Sequence, residues 1–277
     1  MTAALFALLL LAAALHASWN AMIKAAASAW FGTVLVAGFA SLLALCILPW
    51  LPVPAVASWP CIAASVALQV LYLWLIARSY RVADMGLVYP LMRGSAPLLV
   101  ALCNAAVFGE SLGRMAVAGI AVLCAGILSM AFSIRRGPRH GVWPALLNAV
   151  VIAAYTLVDG VGVRLSAAPA SYTLWIFLLC GLPLPIWAAW HQPAALRAAL
   201  RRDWWRGLLG GAGTIASYGI ALWAMLQAPV AVVAALRETS ILFAMLLARL
   251  LLGERPGRQR VLAALVMAIG VMLLRLA

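Results

Sequence analysis

Five ionisable side chains of this 277-residue chain fall inside long apolar stretches: His16, Arg93, Asp159, Arg237 and Glu238. A charge at the centre of a lipid-embedded helix costs about 2.5–3.5 kcal/mol on insertion scales, so such residues face a protein interior or a water-filled cavity. Two roles are open to Arg93 and Arg237. They can pair with Glu238 and Asp159 and lock the structure together. Alternatively, they can line a cavity and bind a carboxylate or phosphate, which the planar guanidinium fork matches. Glu238, Asp159 and His16 are candidates for charge balance or proton coupling, and His16 alone has an ordinary pKa near neutrality. Arg237 and Glu238 are neighbours, about 100° apart on a helix, so they cannot both face one target squarely.

Polar and aromatic groups accompany these charges. Trp19 and Asn20 lie beside His16 in "LHASWNAMIK" (15–24), with His16 and Asn20 one helical turn apart. Tyr72, Tyr89, Tyr155 and Tyr218 lie within apolar runs, where a hydroxyl needs a polar partner. Together with the arginines they form a candidate substrate-binding set: Arg93, Arg237, Trp19, Asn20, Tyr72, Tyr89, Tyr155 and Tyr218. Pro90 and Pro97 frame Arg93, and a kink there would expose backbone groups to a cavity.

The elements that position these residues follow from composition. The chain is 68% hydrophobic and 9% charged; soluble domains are nearer half apolar and a quarter charged. Lipid must therefore be its main solvent, and long runs without strict alternation exclude a β-barrel. Ten spans are expected, at roughly 2–24, 31–50, 60–80, 85–107, 114–133, 143–164, 171–190, 207–226, 229–252 and 259–276. Between the seventh and eighth, "AALRAALRRDWWRG" suits a short helix lying in the interface. The net charge of +13 resides mostly in short gaps between spans, which reads as a topology signal and not as nucleic-acid binding. Five scattered cysteines and three histidines form no metal-ligand pattern. No nucleophile–base set or nucleotide loop supports an enzyme, and no cofactor is implied.

The chain also repeats itself. At an offset of 144 residues, "MRGSAPLLVALCNAAVFGESLGR" (92–114) falls on "LRETSILFAMLLARLLLGERPGR" (236–258) without a gap. Over 84–128 against 228–272, 11 of 45 pairs are identical, among them Arg93/Arg237, Glu110/Glu254, Arg114/Arg258 and Gly126/Gly270. The offset places spans 4–5 on spans 9–10. Each half then holds five spans, and an odd number turns the second half upside down. The expectation is two inverted repeats, 1–134 and 141–277, around a central cavity, as in secondary transporters. Fourteen of the 19 Lys and Arg fall in odd-numbered loops and their flanks, and three in the even loops and termini. The positive-inside rule places the odd loops in the cytoplasm and the termini outside.

"SWNAMIK" in span 1, "YPLMRGSAPLL" in span 4, "LRETSILFA" in span 9 and Gly-Glu after each of the latter two resemble the EamA-type branch of the drug/metabolite transporter superfamily. The resemblance covers essentially the whole chain. It implies an all-α integral membrane protein of a bacterial-type inner membrane, a monomer or homodimer, with spans 1–4 and 6–9 around the cavity. Arg93, Arg237 and Glu238 would then face that cavity. Such proteins typically export small metabolites, often amino acids. The expected function is alternating-access transport of a small carboxylate- or phosphate-bearing metabolite, most readily an amino acid, with protons or a counter-substrate as coupling partners. The alternatives are an organic-cation carrier using Glu238 and Asp159, or a flippase of a phosphate-headed lipid. Relatives are usually drawn with cytoplasmic termini, against the charge count here.

Overall fold

The computed structural model describes residues 1–82, 85–109, 111–132, 142–252 and 257–277. The described residues are all-helical, without strands. Four helices, α1 (Ala3–Lys24), α2 (Ala29–Ile47), α3 (Trp59–Val82) and α4 (Met85–Phe108), lead to α5 (Arg114–Phe132) and α6 (Val142–Ser166). Then follow α7 (Pro169–Gly181), α8 (Pro183–His191), α9 (Pro193–Ala224), α10 (Val230–Arg237), α11 (Ser240–Leu252) and α12 (Arg258–Leu276). Among the described residues, seven helical stretches are long and apolar enough to cross a membrane. Shorter apolar stretches, Val56–Tyr72 and Arg114–Met130, lie in or beside α3 and α5. Glu110 and Glu254, of the two Gly-Glu junctions, lie outside the described residues.

Three elements differ from the sequence-based spans. The basic segment before the eighth span is not a separate interfacial helix; α9 runs unbroken for 32 residues, about 48 Å. That exceeds the ~30 Å of a bilayer core, so its first turns, with Arg197, Arg201 and Arg202, extend beyond the apolar layer. No glycine or proline interrupts residues 194–206, so nothing stops the helix from continuing. The seventh span is two helices, α7 and α8, meeting at Leu182, where Pro183 and Pro185 withhold N–H donors. The ninth is broken between Arg237 and Ser240, whereas α4 stays helical through both prolines.

Small residues set the closest helix contacts, as is usual where lipid gives no hydrophobic drive to associate. On α5, Gly126 leaves room for Met267 of α12; on α12, Gly270 backs onto Leu123 of α5, where a Cβ would stand 2.5 Å from the Leu123 nitrogen. Gly211 of α9 lies against Ala40 of α2 in the same way, a Cβ there reaching within 2.7 Å of the Ala40 nitrogen. Polar bonds cross between helices too. The Ser217 hydroxyl donates to the Ala12 carbonyl (2.7 Å), tying α9 to α1, and Ser41 donates to the Phe177 carbonyl (3.0 Å), tying α2 to α7. Further helix pairs are α3 with α6, α4 with α6, and α1 with α11. The outer face is apolar: Leu102 is 77% exposed, and Leu262, Leu265 and Met272 of α12 are exposed as well. Trp50, Trp143 and Trp190, at helix ends, are exposed, as interfacial anchors are.

Candidate functional site

The helix break in the second half builds the centre of the molecule. The Glu238 N–H donates the last bonds of α10, to the Ala235 and Leu236 carbonyls, and Ile241 then donates to the Glu238 carbonyl (3.0 Å) instead of to that of Arg237. Thr239 turns its hydroxyl back onto the Leu236 carbonyl (2.7 Å). In α4 the matching step is made by covalent chemistry. Pro97 has no N–H, so the Arg93 carbonyl loses its regular donor. Both arginine carbonyls are therefore released from the regular α ladder, by two different means.

The side chains meet across this break. Arg93 Nε donates to Glu238 Oε2 at 2.7 Å, with the residues only 6% and 4% exposed. Arg237 takes no part in that pair. Its guanidinium lies over the Tyr218 ring, 4.7 Å from the centroid, a cation–π geometry. Arg93, Arg237, Glu238, Tyr155, Thr156 and Pro97 line a void of about 10 Å³, room for one water and not for a metabolite. Tyr72 stands edge-on to Tyr155 (6.2 Å) beside it, and Tyr89 packs one turn from Arg93.

Asp159 has a different setting. It is fully buried on α6 and accepts from the Tyr172 hydroxyl (2.9 Å) and from the Tyr218 hydroxyl. Ser65 of α3 also bonds to it, and Gln69 donates to Ser65 (3.0 Å). Gly162, one turn along α6, makes the Tyr172 approach possible; a Cβ there would overlap the phenol and stand 2.6 Å from the Cys61 Cβ. Tyr218 thus bridges two charges, its hydroxyl on Asp159 and its ring under Arg237.

The structure does not gather every expected residue, although His16 of α1 lies within electrostatic reach of Arg93 and Arg237. His16 and Trp19 stack edge-to-face on α1 (5.0 Å), and the buried Trp19 Nε1 has no hydrogen-bond partner among the described residues. Asn20 is exposed and spends its amide on the His16 carbonyl (2.8 Å), as polar side chains do when a carbonyl of their own helix is within reach. It does not line the central void. Tyr172, Ser65, Gln69 and Gly162 escape sequence reasoning. Tyr172 stands at a span end, where tyrosine usually marks an interface. The one available signal was Gly162, three residues after the buried acid on the same helical face.

A second, larger cavity, about 990 Å³, opens at the end of the bundle that holds both chain termini, between the first turns of α1, α5 and α10. Met1, Leu5, Leu8, Arg114 and Val232 are among its lining residues. The other two arginines at that end are bonded to backbone: Arg164 to the Met225 carbonyl (3.1 Å) and Arg275 to that of Met1 (2.8 Å).

The sequence model of the EamA-like transporter family matches residues 139–276. The chain belongs to this family. It is thus a multi-pass membrane transporter of the drug/metabolite type, and it works on a small molecule within a bilayer. A crystal structure of another protein superposes on this EamA-type chain with a TM-score of 0.75, covering 100% of this chain and 99% of that one at 17% identity. At that identity the likeness is one of fold. No curated protein sequence matches this chain.

Proposed function

We propose that this EamA-type protein is a secondary carrier for a small metabolite bearing a carboxylate or phosphate, most readily an amino acid, that exchanges places with Glu238 on Arg93. The buried Arg93–Glu238 ion pair beside the Arg237 guanidinium carries this reading. An ion pair out of water stands only while each charge has a partner. An incoming anion gives Arg93 a second partner and releases Glu238, which is then the site for a coupled proton or for a turn towards Arg237. Tyr218 and Asp159 hold Arg237 in place for the same anion. The cation-carrier alternative is weaker, because both candidate acids already hold donors.

Inverted repeats are the architecture that serves such exchange, and several contacts support them here. The bounds of α5 and α12 differ by the 144-residue offset at both ends. The α3–α6 pair corresponds to the α9–α1 pair under the same offset, and both are close. Gly126 facing Met267 and Gly270 facing Leu123 are one contact made twice with the partners swapped. In this reading the repeats are residues 1–134 and 141–277, and the termini face outside.

The test is binding and flux. Carboxylates, amino acids and phosphates, screened on detergent-purified protein, should include ligands that raise its Tm by mass action. Arg93→Ala and Arg237→Ala should abolish uptake of such a ligand into liposomes. Folded variants that transport like the parent protein would refute the assignment.

A further inference from the structure

The two ends of the bundle differ in a way the 144-residue offset makes specific. Opposite the terminal cavity, on the other side of Arg93, the space is filled. Val88, Met92, Ala145, Ala149 and Ile152 pack there in one buried cluster between α4 and α6. Asn148 sits among them with no exposed surface. Its amide nitrogen reaches the Met92 sulfur (3.3 Å), while its Oδ1 has no hydrogen-bond partner among the described residues. Now shift by 144. Ala145, Asn148, Ala149 and Ile152 become Met1, Ala4, Leu5 and Leu8, and Val88 becomes Val232. All five of these line the 990 Å³ cavity. The plug at one end and the cavity at the other are built from corresponding residues, one set packed and the other parted.

We infer that the plug is a second, closed vestibule, lined by Val88, Ala145, Asn148, Ala149 and Ile152, with the Asn148 amide oxygen as its acceptor for a ligand's N–H group. The inference rests on the inverted-repeat carrier reading and deepens it. If the halves exchange conformations, Met1, Leu5, Leu8 and Val232 close while the plug opens. A buried acceptor without a donor is a standing cost in the closed state. Opening relieves it, because water or the N–H of an amine-bearing substrate can then reach Oδ1. Its counterpart at the other end, Ala4, has no such group, so the two vestibules hold the same ligand differently. A substrate with an ammonium would be held more firmly at the Asn148 end.

Thiol reactivity separates the possibilities without any transport substrate. Leu8→Cys reports the terminal cavity and Asn148→Cys the plug, each read by N-ethylmaleimide labelling of the full-length, detergent-purified chain with peptide-resolved mass spectrometry. Leu8→Cys should react at least tenfold faster than Asn148→Cys. Adding Ala149→Trp, which overfills the plug, should raise Asn148→Cys reactivity at least tenfold and lower that of Leu8→Cys. Ala145→Phe, nearer the rim, is the milder second wedge. Labelling that rises at position 148 while Leu8→Cys stays unchanged would mean local unpacking and would overturn the inference. Asn148→Leu needs no wedge: it should raise the Tm and leave Leu8→Cys reactive. A lowered Tm would show the amide oxygen to be satisfied in the plug, against its assigned role. Reciprocal labelling without any anionic ligand that stabilises the protein would sink the substrate reading alone and leave the two vestibules standing.

Discussion

Glu238 and Asp159 are both buried carboxylates within electrostatic reach of Arg237, yet the fold treats them differently. Glu238 stands at a helix break, bonded to one charged partner beside a void. Asp159 lies inside an unbroken helix, enclosed by neutral hydroxyls, with Gly162 holding the space that lets Tyr172 in. An ion pair offers a partner that another anion can replace. A carboxylate held by several neutral donors has no single bond whose exchange frees it. The first arrangement suits a moving part and the second a fixed one. Tyr218, bonded to Asp159 and lying under the Arg237 guanidinium, ties the position of the fixed acid to Arg237.

The largest test of this contrast is at the ion pair. Arg93→Ala leaves Glu238 buried and unpaired and should cost about 3–5 kcal/mol, read as a lower Tm in detergent. The double change Arg93→Met with Glu238→Leu should recover most of that stability while transport stays absent. If the double variant is no more stable than the single one, Glu238 is not held chiefly by Arg93.

At the fixed acid the expected losses are smaller and structural. Gly162→Ala displaces the Tyr172 hydroxyl and should cost about 1–3 kcal/mol, as overpacking does. Tyr172→Phe removes one of the neutral donors and should cost about 1 kcal/mol. Both variants should keep their transport rate once folded. Loss of transport in Tyr172→Phe without loss of Tm would move Asp159 into the working machinery and break the comparison. The smallest effect is at Asn20, where Asn20→Ala should lie within about 0.5 kcal/mol of the parent with uptake intact. A large uptake defect there would return α1's outer face to the site.

Much of this was legible in the residues. Arg93, Arg237 and Glu238 stood out because charge inside an apolar run is costly and therefore placed for a reason. The offset of 144 linked the two arginines because glycines, glutamates and arginines are rare enough in this chain for their matches to carry weight. Other features were not legible. The prolines marked α4 as the helix to break, but α4 holds and its counterpart, which lacks proline at 234 and 241, is interrupted. Proline's fixed φ is compatible with a helix, and the break at Glu238 is stabilised by a bond pattern that Thr239 and Ile241 make only in three dimensions. Tyr172 could not be matched to Asp159, because its value lies in an approach that a glycine on another helix permits.

By itself, the sequence determined that the chain lives in lipid, how its charges are rationed and which residues correspond across the 144-residue offset. These are properties of composition and of order along the chain, and they follow from the cost of exposing polar groups to hydrocarbon. Only the tertiary structure decided that Arg93 takes Glu238, that Arg237 lies on Tyr218, and that one set of corresponding residues is packed while the other is parted. Those choices depend on which surfaces approach within a few ångströms. Equivalent residues can settle into different contacts, because a packed bundle takes up one of several discrete arrangements.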